Sequence, residues 1–467
     1  MKNIIEPTIF LYLYDLKQAF GDNCENKDER FAQFVEKLPY ELQKELGSQE
    51  NKNIEFNAAF DLKEYQELYS DPNLPLNHFF KTSLIDKKNQ YQGKGWYYPI
   101  FIFDTYALLI AVSIGASDEA VKPFKTLKEE LKQRLNHQTG NLGRTWKLSG
   151  ILPPTEGEII ISAEKYAKAY YQEFLPDNKW QQDYFGEGLF LGSPIFELNL
   201  TQQNHTIITF FSEQEAYEID NNKYYDDWIR LFSFHHKIIW LYQTIEAVSN
   251  QTQEFYSKWE NIRTSLHQQL SKQENLKVLR KTLKDAQKLQ GEYRKNLYHI
   301  KFLKKAMEIN LGNYIERLQL IEDKASQELI KGQQRHTDLS FLNQFAERVE
   351  NKFLRQTNKN YKFLKLGLNF LESQMSDIRD RLAIERAERD RNFQDIIVTA
   401  GAGWAVGSLV QSVEFGKLEK EVGYRPFLPD SWPNPAAQLF FAIASASLSA
   451  VIVWLVIYLW RNHNDKK

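Results

Sequence analysis

The boundary at Asp395–Ile396 divides two chemistries within one short stretch of chain. From Asp380 to Asp395 the sequence "DRLAIERAERDRNFQD" is charged at more than half of its positions. Ile396–Val413, 18 residues, carries no charge at all, and neither does Ala436–Trp460, "AAQLFFAIASASLSAVIVWLVIYLW", 25 residues. A helix needs about 20 apolar residues to cross roughly 30 Å of hydrocarbon. The two runs therefore predict a C-terminal hairpin of transmembrane helices. Trp432, Trp454, Tyr458 and Trp460 sit near the ends of the second run, where aromatic rings favour the membrane interface.

Basic residues set the expected orientation. Arg381, Arg386, Arg389 and Arg391 precede the first run, and Arg461, Lys466 and Lys467 follow the second. The loop between them has Lys417, Lys420 and Arg425 beside four acids. This bias predicts an inner-membrane, multi-pass protein with both termini cytoplasmic and the loop outside. "MKNIIEPTIFLYLY" at the start has Glu6 and Pro7 inside its apolar run and no cleavage site after it, so it does not read as a signal peptide.

Ten of the fourteen prolines lie between Pro7 and Pro194, and none between Ile195 and Arg425. That punctuation predicts an α+β cytosolic domain over 1–212, then long helices. "TIFLYLYDL", "GRTWKLSGIL", "SPIFELNL" and "HTIITFF" read as strands. "PFKTLKEELKQRLNHQ" and "AEKYAKAYYQEF" read as helices. Tyr97–Gly115 is apolar enough to suggest a further span, but Pro99 and Asp104 oppose that, and it reads as two buried strands split at Asp104–Thr105.

Residues 213–336 read as an antiparallel helical region. Tyr293, Leu297, Ile300, Met307, Leu311, Tyr314, Leu318 and Ile321 form one apolar seam, broken by Lys304. Gly332, with Thr337 or Asp338 as the next cap, marks a turn. Residues 337–395 then read as a coiled-coil stalk helix with the seam Tyr361, Leu364, Leu368, Leu371, Met375, Ile378 and Leu382, alternating by three and four. The remainder divides into a first transmembrane helix (396–413), an external loop (414–435), a second transmembrane helix (436–460) and a cytosolic tail (461–467). The fold class expected is thus an α+β cytosolic domain, long antiparallel helices with a coiled-coil stalk, and a two-helix transmembrane hairpin.

The chemistry available is narrow. The chain has one cysteine, Cys24, which excludes an internal disulfide and cysteine-based zinc clusters. Near-neutral charge gives no reason to expect nucleic acid as a partner. There is no phosphate loop, no GxSxG and no HExxH; "GEGLFLG" (Gly186–Gly192) has glycines at the wrong offsets and a strand-like context. His235 and His236 are adjacent, so on a helix they point about 100° apart and read as helix residues, not ligands. No enzyme is expected, no cofactor is assigned and metal ligands stay unassigned.

Within the first uncharged run, Thr399, Gly403, Gly407 and Gln411 form a small or polar row, suited to helix packing or to lining a pore. Glu414 would then stand at the outer mouth. This layout, a cytosolic α/β domain, antiparallel helices, a long stalk helix and two C-terminal spans, resembles the CorA-type divalent-cation channels. The likeness covers about the last 250 residues in architecture. Val413-Glu414-Phe415-Gly416 stands where that family carries Gly-Met-Asn. The resemblance implies a homo-oligomer in membrane lipid, with a divalent cation as cargo. Two functions follow: a CorA-like cation channel, or a non-conducting membrane-tethered sensor or scaffold whose cytosolic domain binds a partner.

Overall fold

The computed structural model describes residues 3–17, 24–40, 42–43, 66–67, 78–86, 89–115, 122–154, 159–201, 203–271 and 276–386. In chain order they form β1 (Ile5–Leu16), α1 (Cys24–Val35), β2 (Gln66–Glu67), β3 (His78–Asp86), β4 (Asn89–Ile102), β5 (Thr105–Ile114), α2 (Pro123–Arg134), β6 (Gly143–Ile151), α3 (Ile159–Phe174), α4 (Trp180–Asp183), β7 (Tyr184–Phe190), β8 (Ser193–Leu198) and β9 (His205–Phe211). Then come α5 (Gln214–Lys223), α6 (Tyr225–Ser271), α7 (Leu276–Gln327), β10 (Leu329–Ile330), β11 (Gln333–Gln334), a 3-10 turn (Ser340–Leu342), α8 (Asn343–Arg348), a π-helical stretch (Val349–Leu354) and α9 (Arg355–Arg386).

The expectation of a transmembrane hairpin is corrected here. Among the described residues no helix is long and apolar enough to cross a membrane. The long helices α7 and α9 are amphipathic: α7, for example, sets Arg294, Lys295, Lys301, Lys304 and Lys305 between its apolar positions, which suits a helix with one covered face and one wet face. The inner-membrane, multi-pass assignment and the membrane character therefore have no spanning helix behind them among the described residues. Ile396–Val413 and Ala436–Trp460 lie outside the described residues.

The chain divides into two units, Met1–Asn53, Lys63–Ala247 and Leu303–Lys359 in the first, and Ile54–Leu62, Val248–Phe302 and Asn360–Lys467 in the second. The first unit is built on a nine-stranded sheet of order β2-β4-β5-β1-β6-β9-β8-β7, with β3 also paired to β4. Tyr97–Gly115 does divide into strands: β4 and β5 pair antiparallel up to Ile102↔Thr105, and the turn holds Phe103 at φ 53°. Every pairing in the sheet is antiparallel except β6 with β9, which run parallel from Thr145↔His205 to Ile151↔Phe211.

Alternation gives the two faces of this sheet different chemistry. On one face Ile9, Leu11 and Leu13 of β1, Trp146 and Leu148 of β6, and Ile208 and Phe210 of β9 join Phe124, Leu127 and Leu131 of α2 and Ala163 and Tyr166 of α3 in one apolar core. The other face carries Thr8, Thr145, Lys147, Ser149, Glu197, His205 and Thr209, all buried. Helix α6 covers its middle: Tyr12 meets Phe232 edge-on at 5.4 Å, and the Tyr14 hydroxyl donates to the Ile229 carbonyl at 2.8 Å. A polar strand face under a helix is costly unless its groups find partners. Lys147 finds one, with Nζ 2.5 and 2.6 Å from the two carboxylate oxygens of Asp220 on α5.

In the second unit α7 and α9 lie side by side. The Tyr293 hydroxyl donates to the Leu364 carbonyl at 2.8 Å, and Arg294 pairs with Glu372 at 2.6 Å. Back in the first unit, the expected turn after α7 is a two-strand hairpin, β10–β11, with Lys331 and Gly332 at positive φ. Asp338 then accepts from the Ser340 amide at 3.0 Å.

Candidate metal centre

The polar face of the sheet gathers its most reactive groups where β6 and β9 run parallel. Register sets Thr145 beside His205, and β8 brings Glu197 alongside at the Glu197↔Ile207 pairing. From above, α6 supplies His235 and His236. Adjacent helix residues diverge by about 100°, yet both rings are buried, because His236 points to Thr145 and Tyr14 while His235 enters a slot between His205 and Phe345 of α8.

The hydrogen bonds form a chain. Glu197 Oε1 lies 3.0 Å from His205 Nε2, His205 Nδ1 lies 2.8 Å from the Thr145 hydroxyl, and that hydroxyl lies 2.8 Å from His236 Nε2. Thr145 has one proton to give, so it donates to one imidazole and accepts from the other. Whichever way the chain is oriented, it ends at His236 Nδ1, which has no partner. Glu197 Oε2 and both nitrogens of His235 also have none. An unsatisfied buried polar group costs about 1–3 kcal/mol. Four of them within one cluster mark a place that the protein alone does not satisfy.

The electrostatics follow from burial. Desolvation pushes the Glu197 carboxyl above its usual range, against the favourable hydrogen bond and charge of His205. Desolvation pushes His235 well below 6.5, helped by His205, His236 and Arg348, and does the same to His236, helped by His205. Both rings are therefore neutral at pH 7, the form that binds metal ions.

One ligand atom each from Glu197, His205 and His235 lies within 4.8 Å of the others. Two imidazoles and a carboxylate suit zinc or another first-row divalent metal, which binds such atoms at about 2.0–2.2 Å. The rings of His205 and His235 are stacked, centroids 4.3 Å apart and planes at 10°. Their in-plane lone pairs run side by side, so one ion sits in both planes only after His235 turns. That turn breaks no hydrogen bond, since His235 makes none. His236 is the nearest further imidazole, 5.1 Å from His235 between centroids.

The residues singled out in the sequence lie elsewhere. Thr399, Gly403, Gly407, Gln411 and Glu414 are outside the described residues. In the second seam Leu364, Leu371 and Met375 are buried, Tyr361 and Leu368 are half-buried, and the side chains of Ile378 and Leu382 are outside the described residues. "GEGLFLG" runs along β7 into the β7–β8 turn. The cluster was missed because its members are spread from Thr145 to His236 and meet only through sheet order. No known family model matches the chain, and no curated protein or solved structure matches it.

Proposed function

We propose that the chain is a metal-binding scaffold or sensor protein, in which one first-row divalent ion, zinc by preference, is held by Glu197, His205 and His235. The observation that supports this is that Glu197 Oε2 and both nitrogens of His235 have no partner inside a fully buried cluster, beside a His205 whose nitrogens bond Thr145 and Glu197. Burial also argues for a structural ion. Catalytic zinc sites keep a position open to water and substrate, whereas structural sites are closed. Glu197 and His205 belong to the sheet and His235 to α6, so the ion would fasten the helix to β8 and β9. Metal supply would then decide how firmly α6 is docked, which is how a sensor of this build would respond.

The test uses full-length protein purified without a polyhistidine tag. Elemental analysis is expected to find about one equivalent of metal per chain. Ligand present at about 100 times its Kd stabilises a fold by ~2.7 kcal/mol. At about 2–4 °C per kcal/mol for a domain of this size, a strong chelator should lower the melting temperature by roughly 5–10 °C, and zinc should restore it. Protein that carries no metal and melts identically in zinc and in chelator overturns the reading.

A further inference from the structure

A second feature of the first unit, independent of the metal cluster, is a groove on the part of the sheet face that α6 leaves open. Its volume is about 450 Å³, within the range of small-molecule sites. The floor is two rows of the sheet. Register aligns Thr8, Ser113 and Lys94 in one row, and Phe10, Ala111 and Trp96 in the next, with Phe79 opposite Trp96. Helix α5 forms a wall with the side-chain amides of Gln214, Asn221 and Asn222.

The ring of Trp96 is half-buried and is held by edge-to-face contacts with Phe10 at 6.5 Å, Tyr98 at 6.5 Å and Tyr225 at 5.3 Å. Phe79 is 73% exposed at the groove's margin. The indole of Trp96 is an apolar surface whose ordering cost is already met by its neighbours in the unliganded protein, and Phe79, opposite it in register, adds an exposed phenyl. Around them stand three side-chain amides, which both donate and accept, and three hydroxyls, those of Thr8, Ser113 and Tyr217, which are already hydrogen-bonded to one another or to the backbone. The charges nearly balance and lean acidic, with Glu6 and Glu218 facing one cation, Lys94.

We infer that this groove binds a neutral saccharide. A pyranose ring has flat C–H faces that lie on an aromatic platform and a rim of hydroxyls that need donors and acceptors at once, which amides supply. Two carboxylates against one lysine disfavour a phosphorylated ligand, because like charges in one site repel. A lipid tail is disfavoured by the polar wall.

Full-length protein should be screened on a microarray of neutral oligosaccharides, and each binder measured by titration calorimetry. A ring contact is worth about 0.5–1.5 kcal/mol, or about 2–12-fold in Kd. Trp96→Ala is expected to weaken binding by about tenfold. Phe79→Ala removes an exposed ring, leaves the fold intact as judged by circular dichroism, and is expected to weaken binding by about threefold. The inference is overturned if no oligosaccharide binds, if both variants bind as the unaltered protein does, or if nucleosides or dipeptides bind more tightly at the same residues.

Discussion

His235 lies flat on His205, 4.3 Å between ring centroids, while Phe345 covers its other side at 4.1 Å. The imidazole thus sits in a slot shaped for an aromatic ring, with both of its nitrogens unsatisfied. His235→Phe keeps the stack and removes the two orphan nitrogens. In chelator the variant should be as stable as the unaltered protein or more so, by about 1–2 kcal/mol. In zinc the order should reverse, because the variant has lost a ligand. Thermal melts of both proteins in both solutions check this. A variant that still gains stability from zinc shows that His235 is no ligand.

The Lys147–Asp220 pair makes a different demand. Both side chains are buried, and Asp220 also accepts from Trp228 Nε1 at 3.1 Å. Burial lowers the Lys147 pKa, while the charge and hydrogen bond of Asp220 oppose that shift. Lys147→Met alone leaves a buried carboxylate without its cation and should cost about 3–5 kcal/mol. Lys147→Met with Asp220→Leu removes both charges and should recover part of that loss, less about 1–3 kcal/mol for the buried Trp228 Nε1–H that loses its acceptor. Urea denaturation of the single and double variants measures the difference.

Stability on the alkaline side has a traceable sign. Lys128 donates to the Phe174 carbonyl at 2.6 Å, and its pKa is lowered from 10.5 to about 8, chiefly by burial and next by Lys132. Between about pH 8 and 10.5 the unfolded chain therefore holds a proton that the folded chain has lost, so this group's contribution to stability rises with pH. Above pH 10 the buried tyrosines act oppositely. Desolvation raises Tyr12, Tyr14 and Tyr314 well above 10, so the unfolded chain ionises first and stability falls. Melting temperature against pH should rise from 8 toward 10 and then drop. Lys128→Met should flatten the rising limb and leave the falling one.

Much of this architecture is written in local pattern. Asp104 inside an apolar run betrays the β4–β5 turn, since a charged residue at the centre of a continuous span has no partner. The seam from Tyr293 to Ile321 is buried at every named position, because a three-four spacing can only face one way on a helix. The polar face of β6 was not legible. In "GRTWKLSGIL" the alternation of Thr145, Lys147 and Ser149 with Trp146 and Leu148 reads as one wet face and one dry, and only α6, some eighty residues on, makes the wet face dry. The same distance hides the cluster: Thr145, Glu197, His205 and His235 share no motif, only neighbouring strands and the helix laid across them. One signal was present, two adjacent histidines in the apolar stretch "IRLFSFHHKIIWLY", where a buried imidazole needs a partner.

The contact between α7 and α9 admits a test in which two magnitudes oppose each other. A Cβ on Gly367 would come within 2.6 Å of the Tyr293 hydroxyl oxygen. That oxygen cannot move without weakening its bond to the Leu364 carbonyl. Glycine inside a helix costs about 1 kcal/mol relative to alanine, so Gly367→Ala in a helix free of neighbours would stabilise it. Here the methyl group displaces the hydroxyl, and leaving the buried phenol unsatisfied costs about 1–3 kcal/mol. The net effect of Gly367→Ala is therefore expected to be destabilising, by about 1 kcal/mol. Tyr293→Phe removes the obstructing oxygen. In that background Gly367→Ala should change sign and stabilise by up to about 1 kcal/mol, giving a coupling energy near 2 kcal/mol in a double-mutant cycle. Chemical denaturation of the four proteins measures it. Additive effects within about 0.3 kcal/mol would show that Gly367 and Tyr293 are not in contact, and that the packing of α9 on α7 is not as described.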